Sequence, residues 1–191
     1  MQPSTSKLLA FLGQGVPIDE VCRTAGMTRE AFLGWWRQEA ARRVPPPTGN
    51  KTAPVQAEVR IERDAWGIPH IFAATDDDLF FGFGFAMAQD RMFQLDYLRR
   101  RAQGRLAEVL GPEAVETDLT ARIVGLPYIA QAEWLAAPQE TRRLLARFTD
   151  GVNAWLQQSR ATPAIEFSLL EYEPEPWSPV DCLAIAGEFR W

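Results

Sequence analysis

Apolar residues recur at helical spacing along most of this chain, and three helices are predicted near its beginning. Residues 6–15 form a short apolar run that ends at glycine. Residues 17–26 begin with proline, carry two acids in the first turn and end at Gly26, which is typical of a complete helix. Residues 28–43 follow Thr28, a favoured N-cap. The second and third helices, separated by A-G-M-T, resemble a helix-turn-helix.

These helices share enough apolar side chains for a small core, which we predict to contain Leu8, Leu9, Leu12, Ile18, Val21, Ala25, Phe32 and Trp35. A helix-turn-helix suggests DNA binding through the third helix, with four arginines facing phosphates: Arg29, Arg37, Arg42 and Arg43. The first 50 residues hold six basic and four acidic side chains, whereas DNA-binding domains display a denser basic face. A small helical module with a packing or assembly role is therefore favoured over DNA binding.

Residues 44–57 are predicted to be a linker, because residues 44–54 contain four prolines and no apolar periodicity. Residues 1–43 then form a separate helical module, and residues 58–191 form the main domain. Just after the linker, the runs V-R-I-E-R-D and I-P-H-I-F-A have the alternation and composition of strands and flank the turn D-A-W-G. A β-hairpin is therefore predicted.

The rest of the main domain is predicted to be mainly helical, which gives an α+β fold class. Thr75 caps a helix whose first turn holds Asp76, Asp77 and Asp78, where the helix dipole favours negative charge. Further helices are predicted over residues 85–103, 127–134 and 138–158. Gly82 and Gly84 are interpreted as sites where helices approach each other closely.

A last helix is predicted to begin at Ser178, with Pro179 at its first position and Asp181 three residues after the cap. It has run for only about three turns when Trp191 is reached. No glycine, proline or polar end terminates it, so we expect the main domain to continue beyond this residue.

Composition narrows the functional classes. A net charge of −5 gives no overall attraction to nucleic acid or to an anionic membrane. Cys22 and Cys182 are far apart and are predicted to be unpaired, buried residues, as in a reducing compartment. The first thirty residues lack the apolar run of a secretory signal, and no stretch is long enough to span a membrane. A cytoplasmic location is therefore predicted.

No catalytic residue and no metal site are predicted in this chain. His70 is its one histidine and lies in a predicted strand, which indicates a buried residue bonded to backbone or to a carboxylate. One histidine and two distant cysteines leave no transition-metal cluster, and adjacent aspartates do not alternate as calcium ligands do. The serines lack a neighbouring base or an oxyanion loop; they are Ser4, Ser6, Ser159, Ser168 and Ser178.

The central helix carries charged residues among its apolar positions. Because buried charges require partners, we predict a network that joins Asp96 to Arg99 or Arg100, and Glu108 to a neighbouring arginine. The less favoured alternative is a clamp in which arginines 99–101 bind a substrate carboxylate.

The main domain resembles the α-chain of the penicillin acylase family, whose members are N-terminal-nucleophile hydrolases. The resemblance rests on five segments in the family's order: G-I-P-H-I, A-Q-D-R-M-F-Q-L-D-Y-L-R-R, Q-G-R-L-A-E-V-L-G, F-T-D-G-V-N-A-W-L and P-W-S-P-V-D. It covers roughly residues 59–191 and leaves residues 1–54 outside. It implies the α-chain part of an αββα fold, in an amidohydrolase that cleaves N-acyl compounds such as β-lactams or acyl-homoserine lactones.

The resemblance also implies how the chemistry is divided. A precursor cuts itself into two chains, and the new N-terminal serine of the β-chain attacks the amide, with its own amine as base. This chain is then inactive without its β-chain partner. The resemblance implies no cofactor; it allows a structural calcium in the complete enzyme, with an α-chain ligand beyond Trp191.

By position, Phe189, Arg190 and Trp191 fall on a helix that lines the acyl pocket in the family. These residues are equally well interpreted as the packing face of the helix. In a pocket, Arg190 favours a polar or acidic acyl group. The alternative for the whole chain is a non-catalytic protein that combines a DNA-binding or assembly module with an orphan acylase-like domain.

Overall fold

A computed structural model describes residues 4–46 and 48–191. The helices are, in chain order, α1 Thr5–Gly13, α2 Ile18–Ala25, α3 Arg29–Arg43, α4 Asp76–Gln103, α5 Ala107–Leu110, α6 Val115–Val124, α7 Leu126–Ala136, α8 Gln139–Ser159, α9 Ile165–Leu169 and α10 Pro179–Arg190. The strands β1 Arg60–Arg63 and β2 Pro69–Phe72 form an antiparallel hairpin. The described chain is therefore mostly helical with one small sheet. None of its helices is long and apolar enough to cross a membrane.

The chain divides into two compact units. Residues 4–46 and Ser159–Pro174 form the N-terminal unit, and residues 48–158 with Glu175–Trp191 form the main unit. One boundary between the units lies after residue 46, within the proline-rich stretch. The N-terminal unit also includes a segment from late in the chain, Ser159–Pro174.

Local caps begin and end the helices of the N-terminal unit as expected. The hydroxyl of Thr28 accepts a hydrogen bond from the amide of Ala31 at 3.2 Å, and Gly26 ends α2 in the left-handed conformation with φ of 63°. Seven of the eight predicted core residues belong to one cluster: Leu8, Val21, Cys22, Ala25 and Phe32 are buried together, with Phe11, Leu12, Val16, Ile18, Met27 and Trp35 packed against them. The eighth, Leu9, is also buried.

The predicted linker contains no helix or strand in its described part, but its second half is not free. The carbonyls of Thr52 and Pro54 accept hydrogen bonds from side chains of α8. The amides of Gln56 and Ala57 donate to the carboxylate of Asp78 in the first turn of α4, at 2.9 and 3.1 Å. The stretch that enters the hairpin is thereby fixed to the main unit.

The hairpin has the predicted alternation. Ile61 pairs with Ile71 and Arg63 with Pro69 across the two strands. Along β1, Ile61 and Arg63 are partly buried, whereas Arg60 and Glu62 are exposed. The pattern of a half-buried strand is confirmed.

One long helix replaces the two that the sequence predicts after Thr75. α4 runs through Gly82 and Gly84 and continues to Gln103, with a kink at Arg91, where φ is −140° and ψ is 26°. The separate start predicted at residue 85 is wrong. Two glycines reduce helix propensity but do not break the backbone hydrogen bonds, so the helix continues through them.

Gly84 allows two helices to approach closely, as predicted, whereas Gly82 lies against the hairpin region and not against a helix. A Cβ at Gly84 would lie 2.0 Å from the carbonyl oxygen of Phe148, so α4 and α8 cross with their backbones in contact. A Cβ at Gly82 would lie 2.7 Å from Val59 and 2.9 Å from Ile71, which belong to the hairpin region. At both positions a side chain would collide with neighbouring atoms, so glycine is required by packing and not by the backbone conformation of a turn.

The last helix begins as the sequence predicts. The amide of Ser178 donates to the carboxylate of Asp181 at 2.7 Å, and Pro179 occupies the first helical position. α10 then packs against α4 and α7 through buried alanines, namely Ala102, Ala130 and Ala184. These small side chains bring the three helices close together.

Candidate functional site

The buried charges of α4 form a network around Asp96, which is completely buried. Its carboxylate accepts from the Nε of Arg100 at 2.9 Å and forms an ion pair with Arg99. Both arginines follow Asp96 by three or four positions, so a single turn of the helix places them beside it. The predicted network is confirmed.

Arg99 is also held by the extended segment before α10. Its Nη1 donates to the carbonyl of Pro176 at 3.0 Å and lies 3.5 Å from the carboxylate of Asp181. Its guanidinium lies 4.9 Å from the centre of the Trp177 ring, a cation–π geometry. Arg99 therefore fixes the start of α10 to α4.

The network reaches the surface at Arg105. This guanidinium bonds Glu108 at 2.8 Å and Glu175 at 2.7 Å, and Arg100 reaches the same Glu108 at 2.8 Å. Hydrogen bonds from Arg105 hold the pKa values of Glu108 and Glu175 below their usual range. Because Arg99 and Arg100 are buried against carboxylates and carbonyls, the arrangement favours a structural role over a substrate clamp.

The three residues predicted to contact an acyl group lie at the exposed end of α10. Phe189 has 75% of its surface exposed, and Trp191 is similarly open. Arg190 differs, because its Nη2 donates to both carboxylate oxygens of Glu133 on α7, at 2.9 and 2.8 Å. Two aromatic side chains are thus exposed to solvent while the positive charge between them is paired.

Glu188, close to this end of α10, is a carboxylate that is not among the residues predicted from the sequence. It is mostly buried and forms an ion pair with Arg101 of α4 at 2.5 Å. Burial raises its pKa, and the attraction to Arg101 only partly opposes this. Its Oε2 is buried without a hydrogen-bond partner among the described residues. No local motif distinguishes it from an ordinary helix glutamate.

An open cavity of about 320 Å³ lies elsewhere in the main unit, lined by Gln103, Arg105, Arg122, Pro127, Val180 and Ala184. None of the three predicted acyl-contacting residues lines it. Arg105 is occupied by its two carboxylate partners, and the Nε of Arg122 donates to the carbonyl of Gly104 at 2.8 Å. This cavity is therefore bordered mainly by groups with structural roles.

The hairpin turn is organised by Asp64. Its carboxylate accepts from the amides of Trp66 and Ile68 at 2.8 and 3.0 Å and lies 3.3 Å from the Nε2 of His70. The hydrogen bond from the amide of Ile68 lowers the pKa of Asp64 most. Hydrogen bonds from the amide of Trp66 and from the His70 ring lower it further. His70 has the predicted carboxylate partner, but it is 54% exposed, so the prediction of a buried histidine is wrong. Strand alternation turns its ring outward.

Neither cysteine forms a disulfide. Both are free thiols, and Cys22 is buried in the core of the N-terminal unit. Burial raises the pKa of Cys182 to about 11, so its thiol stays protonated at neutral pH. Among the residues that the structure describes, no group of three or more potential metal ligands lies together.

α6 carries an exposed apolar stripe that is not among the sequence-based predictions. Val115, Leu119 and Ile123 recur every four residues and are all exposed, Ile123 by 83%. Trp66 at the hairpin turn is exposed to a similar extent, with 88% of its surface accessible. A contiguous exposed apolar patch can mark a contact surface, whereas a single exposed side chain such as Trp66 is common on protein surfaces. The signal was present in the sequence as i, i+4, i+8 spacing.

Residues 58–191 match the family model described as penicillin amidase, which is well over half of the chain. The chain belongs to this family. Penicillin acylase 2 proenzyme of a Pseudomonas species is 42% identical over 74% of this chain, and an acyl-homoserine lactone acylase QuiP of Pseudomonas aeruginosa is 36% identical over 77%. This chain spans only 18% of the length of each of these two relatives.

A solved structure of the penicillin amidase family supports the same assignment. The thermostable penicillin G acylase from Alcaligenes faecalis superposes with a TM-score of 0.62 and 35% identity, over 69% of this chain and 71% of that chain. The predicted family resemblance, over its α-chain region, is confirmed.

Proposed function

We propose that this chain is the α-chain portion of an amidohydrolase that cleaves the amide bond of N-acyl compounds. The observation that carries this proposal is the match of residues 58–191 to the penicillin amidase family. The relatives are named as penicillin acylases and acyl-homoserine lactone acylases, so the substrate class is a β-lactam, an acyl-homoserine lactone or a related amide.

The proposal includes a β-chain cut from the same precursor. This chain spans 18% of a relative named as a proenzyme, yet 71% of the matching chain in the solved structure. That contrast supports a long precursor that yields a short α-chain. The exposed apolar stripe of α6 and the exposed Trp66 supply surface for such a partner. In the complete enzyme, the two chains then build one αββα fold.

The reaction proceeds through an acyl-enzyme. The N-terminal serine hydroxyl of the β-chain attacks the amide carbonyl, its proton passes by way of the serine's own amine to the departing nitrogen, and the amine product leaves. Water then cleaves the ester, which releases the carboxylic acid and restores the serine. Oxyanion donors also come from the β-chain. The α-chain contributes Phe189, Arg190 and Trp191 to the acyl-binding pocket.

The pairing of Arg190 with Glu133 refines this role. The guanidinium charge is already compensated by a carboxylate at 2.8 Å, so an acidic acyl group has to compete with Glu133. Phe189 and Trp191 are apolar and exposed, which suits an apolar or aromatic acyl group. The proposed pocket therefore combines two aromatic contacts with one paired cation.

The decisive experiment expresses the complete reading frame that contains this chain. Intact-mass spectrometry of the purified product is expected to show two chains, with serine or another nucleophile at the second N-terminus. Replacing that residue by alanine is expected to leave one uncut chain without activity. The wild-type enzyme is then assayed with penicillins and with acyl-homoserine lactones of increasing acyl length. An uncut product that hydrolyses none of these amides would refute the proposal.

A further inference from the structure

The N-terminal unit contains a segment that the sequence analysis placed in the main domain. Ser159–Pro174 connects α8 to α10 along the chain, yet it groups with residues 4–46. It carries the short helix α9 and buries Phe167, whose ring makes an edge contact with Tyr172 at 5.2 Å between centres. Five helical residues are too few to be stable alone, so α9 requires a surface on which to fold.

α1 provides part of that surface by direct backbone contact. A Cβ at Gly13 would lie 1.7 Å from the carbonyl oxygen of Leu169, so only glycine permits the observed approach. At the next position the side-chain Nε2 of Gln14 donates to the carboxylate of Glu171 at 3.3 Å. The end of α1 is thus shaped to receive the end of α9.

α3 provides the rest through Arg43. Its Nη1 donates to the carbonyl of Pro163 at 2.9 Å and to the hydroxyl of Ser168 at 2.8 Å. Glu39 holds the same guanidinium at 2.8 Å, and less than a tenth of either side chain is exposed. Burial raises the pKa of Glu39, but hydrogen bonds from Arg42 and Arg43 outweigh it, so the net pKa lies below its ordinary value.

Ion pairs within the unit compensate most of the arginines on which DNA binding would rely. Of the four arginines expected to face phosphates, Arg29 pairs with Asp19 and both Arg42 and Arg43 pair with Glu39. Residues 1–46 contain six basic and four acidic residues, and Ser159–Pro174 contains one basic and three acidic residues. The unit therefore carries seven basic and seven acidic side chains. With no net charge, the unit gives no overall electrostatic attraction to nucleic acid.

We propose that the N-terminal helices are an intramolecular docking platform for Ser159–Pro174. The end of α1 and the Glu39–Arg43 pair of α3 bind this segment and keep α9 folded. The helix-turn-helix pattern accordingly serves this internal contact and not DNA. The proposal stands independently of the proposed amidohydrolase activity.

Two glycine substitutions in the full-length chain form a matched test. Gly13→Ala introduces the Cβ that collides with Leu169, whereas a Cβ at Gly34 of α3 meets no atom within 4 Å. Hydrogen–deuterium exchange of amides 165–172 is expected to quicken by about tenfold or more in Gly13→Ala. It should stay at the wild-type rate in Gly34→Ala, which removes a helix glycine without a clash. Wild-type exchange of this segment in folded Gly13→Ala overturns the proposal.

A second pair of variants, at Arg42 and Arg43, tests the proposal even if Gly13→Ala fails to fold. Arg42 and Arg43 both bond Glu39, but only Arg43 also bonds Pro163 and Ser168. Arg43→Gln is expected to speed exchange in amides 165–172, and Arg42→Gln to leave it unchanged. Equal effects of the two variants contradict a specific docking role for Arg43.

A direct DNA measurement completes the comparison. The wild-type chain is titrated into a fluorescent duplex of random sequence at low salt, and no binding is expected below about 10 µM, a concentration at which DNA-binding proteins bind even non-specific sequence. Salt-sensitive binding that Arg37→Ala weakens would show that the helix-turn-helix acts on DNA and would overturn the proposal.

Discussion

Arg190 and Glu133 form an ion pair that joins the end of α10 to α7. One guanidinium nitrogen donates to both carboxylate oxygens, at 2.9 and 2.8 Å, while the Nε donates to the carbonyl of Ala186 at 3.1 Å. The side chain is thereby held against its own helix and its neighbour. A charge that adjoins two exposed aromatic residues is compensated before any substrate arrives.

Removing the carboxylate of this pair is expected to change acyl selectivity. In the complete enzyme, Glu133→Gln leaves the cation of Arg190 unpaired, so it is free to attract a carboxylate on the acyl group. The kcat/KM for an acidic acyl substrate, relative to an apolar one, should rise by about two- to fivefold, the scale of an exposed ion pair. The measurement is the ratio of kcat/KM for the two substrates.

Two controls assign that change to Arg190. Adding Arg190→Ala to Glu133→Gln should return the ratio to the wild-type value. Glu140→Gln removes a carboxylate that pairs with Arg143 at 2.6 Å and should leave the ratio unchanged. If Glu133→Gln itself has no effect on the ratio, Arg190 does not contact the acyl group.

The buried network predicts a large loss of stability for Asp96→Asn. Asparagine keeps the shape but leaves Arg99 and Arg100 buried without their shared counter-charge. Removing one partner of a buried pair typically lowers the free energy of unfolding by about 3–5 kcal/mol. Urea denaturation of the two proteins measures the difference. Asp150→Asn, which breaks an exposed pair with Arg147, should lower it by less than about 1 kcal/mol, and a similar loss in both variants would contradict the prediction.

The features that the sequence predicts correctly are those set by neighbouring residues. The caps at Thr28 and Ser178 involve partners three positions away, and Asp96 meets its arginines within one helical turn. The hairpin follows from strand alternation around the D-A-W-G turn. In each case the interacting groups are close together in the sequence and follow the helical or strand period, so their spacing is visible in the sequence.

The features that the sequence misses join distant segments. Glu133 lies 57 positions from Arg190, and Arg43 lies 120 positions from Pro163. No local spacing encodes such pairs, because many acids and carbonyls are equally available to each arginine. The continuation of α4 through Gly84 was missed for a related reason. Its glycines lower helix propensity locally, whereas packing against α8 favours a glycine there.

The Asp78 carboxylate predicts a pH-dependent contribution to stability. Hydrogen bonds from the amides of Gln56, first, and Ala57 lower its pKa below the ordinary value. A group with a depressed folded-state pKa stabilises the protein above its unfolded pKa of about 3.9 and loses that effect as pH falls through the folded value. Asp78→Asn should therefore be less stable than wild type at pH 7, with a difference that shrinks below about pH 4.

Urea denaturation at several pH values between neutral and acidic measures this difference for Asp78. Asp76→Asn is the matched control, because Asp76 is exposed in the same helical turn. Its effect should be small at every pH. A deficit of Asp78→Asn that stays constant on acidification would show that hydrogen bonding, and not ionisation, accounts for the contribution.

The crossing of α4 and α8 predicts opposite outcomes for two helix glycines. Gly84→Ala places a Cβ 2.0 Å from the backbone oxygen of Phe148. Because the clash is with backbone and not with a flexible side chain, the helices have to separate to relieve it. The free energy of unfolding should fall by about 1–3 kcal/mol or more, as in overpacked cores. At Gly187 of α10 the nearest atom to an added Cβ is a Leu126 methyl at 3.9 Å, an ordinary contact. Gly187→Ala should therefore raise stability by up to about 1 kcal/mol through helix propensity. Thermal unfolding of both variants checks the pair, and a Gly84→Ala protein as stable as wild type would mean that the two helices do not cross in backbone contact.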